Sequence, residues 1–260
     1  MATNDAEDQI NDTPMPLLDH LIELRRRLMW SIGAFMICFL VSYHFSDILF
    51  SWLAQPLADV LEAEGGGKRL IYTHLTEAFF TYIKVAFFGA ACVSFPVIAG
   101  QLWMFVAPGL YRSEKKAFAP FLLATPILFS AGASLAYFFI FPVAWKFFAS
   151  FQTTTGAGGL PIELEPKVGE YLDLVMKLIF AFGVAFQLPV ALSLLAKVGI
   201  VTSGGLRKYR RYAMVGNFVI AAVLAPPDVI TQIGLAVPLI LLYELSIIAA
   251  TIVEPKHAVD

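Results

Sequence analysis

Val229-Ile230-Thr231-Gln232-Ile233-Gly234-Leu235-Ala236-Val237-Pro238-Leu239-Ile240-Leu241-Leu242-Tyr243-Glu244-Leu245-Ser246-Ile247-Ile248-Ala249-Ala250-Thr251-Ile252-Val253 runs for 25 residues with one charged side chain, Glu244. The hydrocarbon core of a bilayer is about 30 Å thick and takes about 20 apolar residues in helical form, so this stretch is long enough to cross as one helix. Its leading flank is consistent with that. Pro226-Pro227 stops whatever helix precedes it, and Asp228 stands where a cap for the next helix belongs.

Five segments upstream read the same way, at about 28–50, 78–106, 117–148, 172–196 and 212–225. The composition agrees: 58% of the 260 residues are hydrophobic and 15% charged, with a mean hydropathy of +0.74. A soluble domain of this size would be left with too much apolar surface in water. The expected fold is therefore an all-α polytopic membrane protein with six transmembrane helices. Pro96, Pro126, Pro142 and Pro189 fall inside spans and predict kinks. The fifth segment is short. At about 1.5 Å per residue it reaches only about 20 Å, so the fifth–sixth pair calls for local bilayer thinning or shelter from its neighbours.

The remainder divides simply. Residues 1–13 are polar and acidic and read as a disordered tail, residues 14–253 as one membrane domain, and residues 254–260 as a second tail. Within 14–28, Leu17, Leu18, Leu21, Leu24 and Leu28 recur at helical spacing, which predicts a short amphipathic helix lying on the membrane surface. Arg25-Arg26-Arg27 before an apolar run resembles the start of a signal peptide, but no small-x-small cleavage pattern follows, so the run is read as an uncleaved first span. Arg25 to Arg27, Arg112, Lys115, Lys116, Lys197, Arg207, Lys208, Arg210, Arg211 and Lys256 make 12 of the 18 basic residues fall on one side of this layout. That side is expected to be cytoplasmic, with both termini on it.

No HExxH, GxSxG, CxxC or phosphate-cradling glycine loop is present, so neither catalysis nor a metal or other cofactor is expected. The formal charge of −2 argues neither for nor against a nucleic-acid partner, and none is expected. Cys38 and Cys92 sit in apolar runs as small core residues. Polar groups at membrane depth are costly and mark function. Gln187 is the deepest of them, while Lys84, Lys177 and Glu244 are placed to snorkel toward the interfaces.

Three stretches carry a family resemblance: His20-Leu21-Ile22-Glu23-Leu24-Arg25, the run from Phe105 through Pro108 and Glu114 to Lys116, and Ala225-Pro226-Pro227-Asp228-Val229. In this order, at membrane boundaries, they resemble the TatC subunit of the twin-arginine protein translocase, over nearly the whole chain. The resemblance implies a receptor for export signal peptides in a bacterial inner membrane, working with single-span TatA- and TatB-like subunits and likewise with further copies of itself. It implies that Glu23 and Glu114 receive the signal's two arginines, with Arg25, Phe105 and Pro108 shaping the same surface. It implies partner-docking or transport roles for Gln187, Asp228, Gln232 and Pro56. Many family members carry glutamate where Gln187 stands, and an amide cannot titrate. The alternative reading is a small-solute secondary transporter, against which the two halves show no inverted repeat.

Overall fold

The computed structural model describes residues 17–63, 69–106, 115–153, 164–224 and 228–254, and everything below concerns those. They form helices: α1 (Leu17–His44), α2 (Ser46–Ala63), α3 (Glu77–Val106), α4 (Lys115–Leu135), a π-helical turn (Ala136–Ile140), α5 (Phe141–Ala149), α6 (Val168–Ala185), α7 (Leu188–Lys197), α8 (Ser203–Lys208), α9 (Arg210–Leu224) and α10 (Val229–Val253). The all-α membrane architecture expected from the sequence is what the chain adopts. Four segments are long and apolar enough to cross a bilayer unaided: α3, α4 through α5, α6 through α7, and α10. The α1–α2 pair makes a fifth when taken together. The fifth sequence segment is the 15-residue α9, about 22 Å long.

The amphipathic segment at the N-terminus is not a separate surface helix. It continues without a break into the first span, because residues 23 to 28 are good helix formers and Glu23 pairs with Arg27 one turn on. The first span also ends sooner than expected. At Phe45 the chain turns through 77° into α2, which carries Pro56 in its interior.

That proline has a visible consequence. Pro56 has no N–H, so the Trp52 carbonyl one turn back loses its helical donor. The Tyr137 hydroxyl donates to that carbonyl at 2.8 Å, and the two rings stack 4.2 Å apart. The Tyr171 hydroxyl donates to the next carbonyl, that of Leu53, at 2.9 Å. Two tyrosines from the membrane bundle thus hold the kinked α2 in place. Pro142 and Pro189 instead coincide with changes in the helix itself. Before Pro142 the helix widens, and the Phe141 N–H reaches back five residues to the Ala136 carbonyl. Before Pro189 the span breaks at Phe186 and Gln187, separating α6 from α7.

Between helices in lipid there is little hydrophobic driving force, so close packing of small residues does the joining. At the α4–α6 crossing a Cβ on Gly132 would collide with the Phe182 carbonyl, and one on Gly183 would lie 2.5 Å from the Phe129 ring. Each glycine admits a bulky group from the other helix. The main core gathers Leu53, Val85, Phe141, Leu172, Phe182 and Leu235 from α2, α3, α5, α6 and α10. A smaller one, Ala196, Leu206, Tyr243 and Ile247, closes the end where α7, α8 and α10 meet. Outward-facing Ile37, Leu40, Val223 and Ile252 are more than half exposed, as a lipid-facing surface requires.

The helix ends define two faces. The N-terminus of α1, the C-termini of α3, α7 and α10, and the starts of α4 and α9 share the basic face. At the opposite, far face, Ile71 bridges Lys167, Arg69 pairs with Glu165, and Glu77 accepts from the Thr73 and Gly169 amides at 3.0 Å, joining the starts of α3 and α6.

Candidate functional site

The basic-face end of α1 packs against the end of α3, and this contact gathers the first motif. Two nitrogens of the Arg27 guanidinium donate to the same Glu23 oxygen, Oε1, at 3.1 and 2.5 Å. The third reaches Gln101 Oε1 of α3 at 3.4 Å. The pair is largely withdrawn from solvent, with 12% of the Arg27 and 18% of the Glu23 side chain exposed. One turn earlier on α1 the His20 ring stacks on Phe105, centroids 4.3 Å apart. Glu23 and Phe105, separate in sequence, therefore share one surface. Among the described residues no donor reaches Oε2 of Glu23.

Arg25 lies on another side of α1. It lines a groove of about 420 Å³ with Ile22, Arg26, Met29 and Trp30, an arginine–tryptophan mixture suited to the headgroup region. Pro108 and Glu114 lie outside the described residues.

Gln187 occupies the break between α6 and α7 and is 6% exposed. Its amide nitrogen donates to the Thr125 carbonyl at 3.1 Å, and Trp103 donates to the Thr125 hydroxyl at 3.1 Å. The Gln187 side chain thus joins α4 to α6 from inside the bundle. Asp228 caps α10, accepting from the Thr231 amide at 2.8 Å and from the Thr231 hydroxyl. Gln232 follows on the same turn, half-buried. Pro56 is buried within α2, as described above.

Three polar partners escape a reading of the sequence alone. Gln101 stands one turn before Phe105, on the same side of α3, which is the only sequence signal it gives. Thr125 looks like a helix-compatible hydroxyl until Gln187 and Trp103 are seen to meet it. Asp173 lies one turn before Lys177 and suggests a pair within α6, yet it binds Lys84 of α3 instead, at 2.7 and 2.9 Å. No group of three His, Cys, Asp or Glu side chains that could hold a metal occurs among the described residues.

Residues 19–238 match the family of Sec-independent protein translocase proteins, TatC. The chain belongs to the TatC family. The TatC of Magnetococcus marinus is 50% identical over 243 residues, covering 94% of this chain and 86% of that protein. The TatC of Rickettsia prowazekii is 46% identical over 242 residues, covering 93% and 95%. A solved structure, "Crystal Structure of Twin Arginine Translocase Receptor- TatC", superposes with a TM-score of 0.76 at 39% identity, covering 90% of this chain and 99% of that one. As a TatC-family protein the chain is a multi-pass membrane component of the twin-arginine protein translocase, a transport role.

Proposed function

We propose that this chain is the receptor subunit of its translocase, taking twin-arginine signal peptides at the basic face, on the cytoplasmic side of a bacterial inner membrane. The observation that carries the reading is the half-used carboxylate of Glu23: Arg27 anchors Oε1, and Oε2 stays open beside the His20–Phe105 stack. A guanidinium is a planar fork that suits a carboxylate held in fixed orientation, whereas an ammonium is a point charge that gains less from that orientation. Glu23 takes one arginine of the signal and Glu114 the other, with Arg25, Phe105 and Pro108 bounding the surface. The solved relative is itself described as a twin-arginine translocase receptor, which supports the same assignment.

The remaining residues belong to assembly and transport. Gln187, Asp228, Gln232 and Pro56 hold the junction, the cap and the kink that give the scaffold its shape, and single-span TatA- and TatB-like subunits dock on that scaffold together with further copies of this chain. Six helices are too few to enclose an aqueous path for a folded protein, so export needs that larger complex, driven by the proton gradient. α9 crosses as the fifth span where the bilayer is thinned, and both termini are cytoplasmic. Against a small-solute transporter stands the placement of the ionisable groups: Lys84, Asp173 and Lys177 lie toward the far face and the Glu23 cluster at the basic one, with no cluster at mid-depth among the described residues.

The test is crosslinking of a twin-arginine signal to the full chain in membranes, with a twin-lysine signal as control. Glu23→Ala or Glu114→Ala, at normal abundance, is expected to abolish the arginine-dependent adduct. Undiminished crosslinking in both variants refutes the assignment.

A further inference from the structure

Between α3 and α6, open to the lipid, lies a groove of about 560 Å³ that the signal-peptide reading does not use. Ile83, Phe87, Phe88, Met176 and Phe180 make it apolar, and Lys84, Asp173 and Lys177 stand along its wall. We propose that this groove is a binding site for an anionic glycerophospholipid of the leaflet at the far face, with Lys177 holding the phosphate and the apolar walls holding an acyl chain.

Depth is the first argument. Lys84 stands seven residues into α3 and Lys177 nine residues into α6, which puts their backbones roughly 10 and 14 Å below the helix ends. A 30-residue helix is about 45 Å long against a hydrocarbon core of about 30 Å, so about 7 Å of each end stands in the headgroup region. Both lysine backbones thus lie a few ångströms inside the hydrocarbon boundary, and their ammonium groups extend to the level of lipid phosphates.

Charge is the second. One ammonium, that of Lys84, contacts both oxygens of Asp173 and neutralises it. The Lys177 ammonium donates to the Val223 carbonyl at 3.1 Å, and among the described residues no carboxylate pairs with it. Two cations and one anion leave the groove a net charge of +1, centred on Lys177. An uncompensated cation at the edge of hydrocarbon is costly, and an anionic headgroup is the counter-charge that a membrane supplies there. Size is the third. The groove falls in the range of small-ligand sites, about 300–1,000 Å³, while a stable helix or protein partner would need about 800 Å² of matched surface.

The experiment uses the full chain in nanodiscs of phosphatidylcholine carrying a minority of phosphatidylglycerol, with retained lipids counted by native mass spectrometry after gentle release. One phosphatidylglycerol is expected to stay bound, favoured over phosphatidylcholine by about fivefold, the worth of one lysine at the surface. Lys177→Gln is expected to remove the preference and Lys177→Arg to keep it. Ala91→Trp, which fills the groove without altering charge, is expected to lose the retained lipid altogether. A wild-type chain with no preference, or a preference that survives both Lys177→Gln and Ala91→Trp, overturns the proposal. Thermal melting of each variant separates lost binding from lost folding, and signal crosslinking is expected to be unchanged, so failure here is distinct from failure of the receptor reading.

Discussion

Removing the Tyr137 hydroxyl tests whether Pro56 creates the carbonyl that this tyrosine satisfies. In Tyr137→Phe the ring keeps its stack on Trp52, and only the 2.8 Å bond to the Trp52 carbonyl is lost. A net hydrogen bond is worth about 1 kcal/mol, cycles in membrane proteins average about 0.6 with a ceiling near 1.7, and an unsatisfied carbonyl adds to the loss. The expected cost is about 1–2 kcal/mol. In a Pro56→Ala background the alanine N–H supplies the helical donor that proline withheld, so the same substitution is expected to cost about 0.5 kcal/mol or less. The coupling between positions 56 and 137 is therefore about 1 kcal/mol. Tyr171→Phe is the control. Its acceptor is Leu53, whose helical donor Leu57 is not a proline, so its cost is expected to be the same in both backgrounds. Reversible unfolding by steric trapping in bicelles measures all four differences. Equal costs for Tyr137→Phe with and without Pro56 would refute the reasoning.

Gly183→Val is expected to cost more than about 3 kcal/mol or to prevent stable insertion, because its side chain would enter the Phe129 ring; abundance and melting of the purified chain read this out. Gly33→Ala, where nothing lies within 4 Å, is expected to be neutral in the same assay. Asp228→Ala is expected to cost about 1 kcal/mol through loss of the α10 cap, with Asp228→Asn recovering most of it, measured by denaturation in detergent. Gln187→Leu strips the donor from the Thr125 carbonyl and is expected to cost about 1–2 kcal/mol, with Gln187→Glu giving a pH-dependent stability that the natural amide lacks.

Much of this fold is legible because lipid enforces it. The ends of α3 and α10 fall within a residue of the apolar runs, since in a bilayer the apolar stretch and the helix are set by the same thickness. What stays hidden is whatever depends on a second helix. Arg25-Arg26-Arg27 reads as a boundary charge cluster, yet only Arg27 faces α3, and its engagement with Glu23 and Gln101 needs both helices in place. α2 is unreadable for another reason: its buried face is built by Pro56, Leu53 and Leu57 against partners far along the chain, and a proline in the run argues against a helix at all. Depth alone marks Lys84 and Lys177 as snorkelling side chains, but Asp173 decides between them, and the choice of a cross-helix partner over one in its own helix leaves no trace in spacing.

The π-helical turn has a consequence for how this span can vary. Between Leu135 and Phe141 the chain holds about one residue more per turn than an α-helix would, and the widened turn absorbs it, so that α5 keeps the angular phase of an uninterrupted helix one residue shorter. Deleting exposed Phe138 or Phe139 therefore lets the segment close as regular helix with α5 close to its present orientation, whereas deleting one residue from a regular helix rotates everything after it by about 100° and draws it back about 1.5 Å. Ala144 and Trp145 would stay buried and Val143 would stay lipid-facing. A one-residue deletion is therefore cheaper here than in the regular helix on either side, because the wide turn works as slack between the two halves of one span.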